Sequence, residues 1–98
     1  MRPMLLFFSA DGCPACEIAK PEFEKYLSRN PLQMALRLDA DGPYARHFVG
    51  KTIKVTPLYL LVNDGRVVGH EGAMKAERIE KWIKAAKGVT DFGLPEED

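Results

Sequence analysis

Two runs, Met4-Leu5-Leu6-Phe7-Phe8 and Leu58-Tyr59-Leu60-Leu61-Val62, are apolar at every position. A half-exposed strand alternates apolar and polar residues, so a run without alternation marks a strand covered on both faces. A chain with two such strands must place both inside a sheet and supply a covering layer for each side. The 98 residues leave room for one domain with one modest core. A hydrophobic content of 46% suits that core and is too high for a disordered chain.

The segments between the runs supply the layers. From Cys13 the apolar spacing turns helical, and Cys16, Ala19, Phe23, Tyr26 and Leu27 fall on one stripe. Pro21 lies inside this helix and removes one backbone donor, while Asn30-Pro31 ends it. Leu32 to Leu38 reads as a second strand, followed by the turn Asp39-Ala40-Asp41-Gly42. Pro43 is placed to open a short helix reaching Val49, with Gly50 as its stop. Beyond the second apolar run, Asn63-Asp64-Gly65-Arg66 is a hairpin signal leading into a strand from Val67 to Glu71. A last helix starts near Lys75, with Ile79, Trp82, Ile83 and Ala86 on its apolar stripe and Gly88 at its end. Along it, Glu77 and Lys81, and Glu80 and Lys84, have the spacing of ion pairs. The order βαβαββα predicts an α/β fold with a central four-stranded mixed sheet and helices on both faces. Residues 1–88 form the expected domain, and 89–98 an acidic, mobile tail.

Charge and apolar run length exclude several functions. Fourteen basic residues balance fourteen acidic ones, which argues against capture of nucleic acid or of an anionic membrane surface. The run Met4 to Phe8 is far short of the ~20 residues that span a bilayer. Arg2 and Pro3 precede only that short run, unlike a secretory signal, and the expectation is a cytoplasmic protein.

The cysteines are Cys13 and Cys16, three apart at the start of the first helix in Cys13-Pro14-Ala15-Cys16. In a reducing compartment such a pair points to redox or metal chemistry. Structural zinc needs two further ligands, and His47 and His70 are isolated. Cu(I) held by two thiolates, or two incidental cysteines, are the remaining readings. As a redox pair the two have different surroundings. Cys13 follows Asp11-Gly12 at the helix N-terminus, where free N–H groups and the helix dipole favour a thiolate. Cys16 lies on the apolar stripe. Cys13 is therefore the expected exposed nucleophile and Cys16 the buried resolving thiol. Pro14 suits the first turn, where its missing donor would be unpaired anyway.

With these residues in hand, roughly residues 4–87 resemble the thioredoxin-fold thiol–disulfide oxidoreductases. The resemblance rests on the apolar strand leading into Cys13 and Cys16, on Pro21 five residues later, and on Thr56-Pro57 ahead of a buried strand. The hairpin at Asn63-Asp64-Gly65, followed by Gly72 and an amphipathic helix, completes it. It implies a minimal thioredoxin-like fold in which Thr56-Pro57 is a cis-proline loop beside the sulfurs, offering Thr56 main-chain groups to a substrate strand. Gly12 and Pro14 then complete the substrate-contacting rim, and Ile18 and Leu58 are candidates for its margin. The implied activity is reduction of protein disulfides, by a monomer with no metal or organic cofactor. Its implied partners are disulfide-containing proteins and an external electron donor such as a thioredoxin reductase or glutathione.

Several positions depart from that family. Gly12 stands where a tryptophan is usual, which flattens the rim. Phe7 stands where typical thioredoxins bury an aspartate beneath the second cysteine, and Arg37 falls near their buried lysine. Proton removal from Cys16 then uses water or a different group. Glutaredoxins share a proline after the first cysteine, which makes a glutathione-dependent oxidoreductase the alternative. Ala10-Asp11-Gly12 lacks their basic residue, and Gly69-His70-Glu71-Gly72 separates the glycines of their loop. Pro14-Ala15 supplies neither the charge nor the imidazole that stabilises a strong oxidant, so reduction is the expected direction. A dithiol metal-binding or non-catalytic interaction domain is the alternative of another class. His47, His70 and Trp82 read as surface or packing residues, and Phe92 and Leu94 as part of a solvated tail.

Overall fold

The computed structural model describes residues 3–43, 45, 47, 53 and 55–91, with side chains as far as residue 86. The elements are β1 (Met4–Ser9), α1 (Pro14–Arg29), β2 (Ala35–Asp39), β3 (Leu58–Asn63), β4 (Arg66–Glu71) and α2 (Ala76–Asp91). They form a four-stranded mixed sheet in the order β2-β1-β3-β4. Strands β1 and β2 are parallel, while β3 is antiparallel to both β1 and β4. The two unalternating runs are the two inner strands, and each is buried along its four central residues.

Side-chain alternation divides the core between the two faces of the sheet. Leu5, Phe7, Tyr59 and Leu61 point to one face, where Ala19, Phe23 and Tyr26 of α1 and Ile79 and Ile83 of α2 cover them. Leu6, Phe8, Leu60 and Val62 point to the other and meet Ala40 and Ala45. The two long helices thus share a face. The opposite layer comes from the segment between β2 and β3, in which Pro43, Ala45 and His47 have helical backbone. The rest of the helix expected from Pro43 to Val49, and its stop at Gly50, lie outside the described residues.

Helix α1 has Cys13 as its N-cap, Pro14 in its first turn, Glu17 near its start and Arg29 near its end, a charge order that suits the helix dipole. It continues through Pro21, and Asn30 closes it by donating its N–H to the Leu27 carbonyl. Strand β2 begins at Ala35 rather than Leu32. The intervening residues turn back first: the Gln33 N–H bonds the Asn30 carbonyl at 3.0 Å, and the Gln33 amide donates to the Pro3 carbonyl at 2.8 Å. The strand register opens only at the pair Leu5 and Ala35, and Leu32 and Met34 remain exposed.

At the hairpin both central residues, Asp64 and Gly65, have positive φ (54° and 76°), the type I′ geometry for which Asp-Gly is suited. Leu61 faces Gly69 and Val62 faces Val67, so Val68 is the additional residue of a bulge.

Two features of α2 differ from the sequence expectation. The helix passes through Gly88 to Asp91, because an interior glycine costs only about 1 kcal/mol relative to alanine and acts as a stop where its backbone is left-handed. The left-handed glycines among the described residues are Gly12 and Gly65. The helix thereby crosses the expected 88/89 boundary, and residues 92–98 of the expected tail, Phe92 and Leu94 included, lie outside the described residues. Second, Glu77 pairs with Lys25 and Arg29 of α1 at 3.6 and 3.1 Å, and Glu80 accepts from the Asn30 amide at 3.1 Å. The side-by-side helices bring these α1 donors within reach of carboxylates that the spacing assigned to lysines of α2. No helix among the described residues is long and apolar enough to cross a membrane.

Candidate active site

Strand β1 leaves the sheet at Ser9, and the chain turns through Asp11 and Gly12 before α1 begins. Gly12 has a φ of 69°, a left-handed backbone that favours glycine, although a β-carbon there would meet nothing within 4 Å. The turn, not a shortage of space, selects the glycine. It delivers Cys13 in an extended conformation at the N-cap. The Cys13 sulfur accepts the Cys16 N–H at 3.1 Å, the task an N-cap serine or aspartate oxygen performs elsewhere. Cys13 and Cys16 are joined as a disulfide across a Cα–Cα distance of 5.2 Å. Cys13 is half-buried rather than exposed as expected, because Thr56 lies against its sulfur, whereas Cys16, on the apolar stripe of α1, is 0% exposed.

The segment before β3 closes over the Cys13 side of the bridge. The Thr56–Pro57 peptide is cis. The Thr56 hydroxyl donates to the Cys13 sulfur at 3.2 Å, and the Thr56 carbonyl oxygen lies 3.6 Å from that sulfur. Pro57 is buried and Thr56 half-buried. The structure thus brings Thr56 against Cys13 and sets Pro57 beside it in the same segment, although 43 positions separate Cys13 from Thr56.

Gly12, Pro14 and Ala15 are exposed around the bridge. Two large apolar side chains on the same two segments also stand in solvent, Ile18 at 74% and Val55 at 77%. Val55 was not singled out by the sequence, and its position beside Thr56 is the signal that could have found it. Leu58 is less exposed than these two. It opens β3 opposite Phe8 and packs against the second core layer, half-buried.

No family model matches the chain. Among solved structures, it superposes on Fasciola hepatica thioredoxin with a TM-score of 0.72 at 19% identity, over 87% of this chain and 81% of that one. For oxidised mitochondrial thioredoxin 3 of Saccharomyces cerevisiae the TM-score is 0.69 at 23% identity, covering 85% and 77% of the two chains. For the short form of spinach chloroplast thioredoxin f it is 0.72 at 23% identity, covering 88% and 77%. The chain has a thioredoxin-like fold.

Within that thioredoxin-like fold, the departures noted in the sequence have concrete settings. Phe7 is 0% exposed and stacks on Phe23 at a centroid distance of 4.8 Å and an angle of 20°. Tyr59 lies 4.8 Å from the same ring at 41°. The ground that holds a carboxyl in the resemblance is an aromatic stack. Arg37, opposite Phe7 on β2, reaches the surface and pairs with Glu24 at 3.2 Å. The buried Tyr59 hydroxyl has no hydrogen-bond partner among the described residues. Burial, and secondarily the Glu22 carboxylate, push its pKa well above the ordinary phenol value.

The other singled-out residues lie on other segments of the chain. His47 is exposed, and so is His70, opposite Leu60 on β4. Trp82 packs half-buried against the core, with its ring 3.2 Å from where a Gly69 β-carbon would sit. Among the described residues there is no cluster of three or more His, Cys, Asp or Glu side chains able to hold a metal ion.

Proposed function

We propose that this chain is a thiol–disulfide oxidoreductase that reduces protein disulfides through Cys13 and Cys16. The observation that carries the reading is the asymmetry of the bridge: one sulfur at a helix N-cap and within reach of the Thr56 segment, the other wholly buried. In the reduced form the Cys13 thiolate attacks one sulfur of a substrate disulfide. The substrate S–S bond breaks, and one substrate thiolate leaves. Cys16, as thiolate, then attacks the Cys13 sulfur, releases the second substrate thiolate and restores the Cys13–Cys16 disulfide. Two electrons have passed to the substrate, and an external thiol donor, such as a thioredoxin reductase or glutathione, returns them.

Thr56, Pro57, Gly12 and Pro14 form the substrate-contacting surface in this reading, with Ile18 and Val55 as its apolar margin. The rim is small and open, which suits an extended segment of a disulfide-containing protein held by main-chain contacts. The enzyme works as a cytoplasmic monomer and uses no cofactor beyond its own disulfide.

The test is single-cysteine substitution with an insulin disulfide as substrate and dithiothreitol as donor. Cys13→Ser abolishes turnover. Cys16→Ser, reduced and then freed of dithiothreitol before the substrate is added, accumulates a mixed disulfide between Cys13 and the substrate, seen as a mass adduct. Equal residual activity in both variants would overturn the assignment of roles. The reduction potential tests the direction: a value near the ~−270 mV of reducing thioredoxins, or below, fits a reductase, and one near ~−120 mV makes the chain an oxidant.

A further inference from the structure

We propose that the Thr56 side-chain hydroxyl is a catalytic hydrogen-bond donor that holds the Cys13 thiolate for attack. This rests on the reductase reading and adds to it a role for the side chain, distinct from the main-chain contacts offered to a substrate.

The argument begins with what surrounds the sulfur. Among the described residues two groups donate to Cys13 Sγ, the Cys16 N–H at 3.1 Å and the Thr56 Oγ1–H at 3.2 Å. Pro14, the first residue of α1, has no N–H to offer. Among the described residues, both donors to this sulfur are neutral groups. One belongs to the helix and follows from its N-cap geometry. The other comes from a segment 43 positions away and is a choice of side chain. Valine would match the shape of threonine there and would supply no donor.

The Thr56 carbonyl oxygen, 3.6 Å from the same sulfur, makes the hydroxyl more consequential. A carbonyl oxygen can accept from a thiol but opposes a thiolate. With the hydroxyl in place, Thr56 has a group suited to each protonation state: the carbonyl for S–H, the hydroxyl for S⁻. The donor already lies at the sulfur in the disulfide form, so reduction needs no rearrangement to stabilise the new charge. Hydrogen bonds to an ionised acceptor are roughly twice as strong as those between neutral groups, so the hydroxyl favours the thiolate over the thiol and over the disulfide.

The experiment compares wild type, Thr56→Val and Thr56→Ser in the full chain. It reads the pH dependence of Cys13 alkylation by iodoacetamide, localised by peptide mass, and the dithiol–disulfide equilibrium in glutathione buffers. In Thr56→Val the Cys13 pKa rises by about one unit, which lowers the alkylation rate about tenfold at pH values below it. The dithiol–disulfide equilibrium moves about tenfold toward the disulfide, a change of ~30 mV. Thr56→Ser, which keeps the hydroxyl and loses the methyl, restores both values. A Thr56→Val profile that overlies wild type overturns the proposal, as does a Thr56→Ser profile that matches valine. Alkylation needs no turnover, so a wild-type chain that alkylates normally but reduces no protein disulfide would sink the reductase reading and leave this comparison readable.

Discussion

Phe7, Phe23 and Tyr59 form one aromatic stack beneath α1, and a single polar atom is buried with it. The Tyr59 hydroxyl is taken out of water and receives no hydrogen bond from the described residues. A buried unpaired hydroxyl carries a desolvation penalty of ~1–3 kcal/mol, while the ring makes the contacts that hold the stack. Tyr59→Phe keeps the ring and removes the penalty. We expect it to raise the unfolding free energy by about 1 kcal/mol, measured by urea denaturation of the oxidised protein. A loss of stability would mean that the hydroxyl has a partner in solution. At this scale the cysteines were readable, because a spacing of three at a helix start allows two sulfurs to meet. The Thr56 hydroxyl was not. Sequence alone shows a threonine before a proline, and only the folded chain carries its oxygen to the sulfur.

The elements themselves were legible where their chemistry is local. Unalternating runs gave the inner strands, Asp64-Gly65 gave the hairpin, and the stripe from Cys16 gave the buried face of α1. Legibility failed where an element is finished by a distant one. Helix α2 has no serine, threonine, aspartate or asparagine just before Ala76. Its first N–H is instead satisfied by Glu22 of α1, whose carboxylate accepts from the Ala76 N–H at 2.9 Å. No local pattern can show a cap supplied from 54 positions away. Glu77 and Glu80 were misassigned for the same reason, since their partners lie across the seam on α1 and not along α2. The start of β2 was misplaced because apolar composition at Leu32 and Met34 says nothing of when the chain reaches its neighbour. The Glu22 contact yields a prediction. Glu22→Ala should lower stability by about 1 kcal/mol, the usual effect of deleting a side-chain cap. Glu22→Gln, which keeps an accepting oxygen, should lose clearly less. Equal losses in the two variants would show that the charge of Glu22, and not its hydrogen bond, supports α2.

Across the whole molecule, the seam between α1 and α2 sets how the fold responds to alkali. Tyr26 and Tyr59 both lie in the core layer under these helices, and each feels a carboxylate that belongs to the seam. Burial, and secondarily the Glu80 carboxylate, push the Tyr26 pKa from 10.0 to about 12. Burial and Glu22 push Tyr59 up as well. In the unfolded chain both phenols ionise near pH 10. Between that value and the folded pKa the native state keeps protons that the unfolded state releases. The stability is therefore complete below about pH 10 and falls as pH rises through the folded values, by about 1.4 kcal/mol per pH unit for each proton retained. Lysines titrate in the same range, so the decisive quantity is the difference between wild type and variant. Urea denaturation at several pH values from about 9 to about 12 should show a shallower decline in Tyr26→Phe than in wild type, and a shallower one again when Tyr59→Phe is added. Tyr26→Phe also gives up the hydroxyl that donates to the Gln33 side chain at 3.0 Å, so it starts from a lower stability at neutral pH and converges on wild type in alkali. Parallel curves would mean that the two phenols ionise alike in the folded and unfolded chain, and that the packing of α1 against α2 does not exclude water from them.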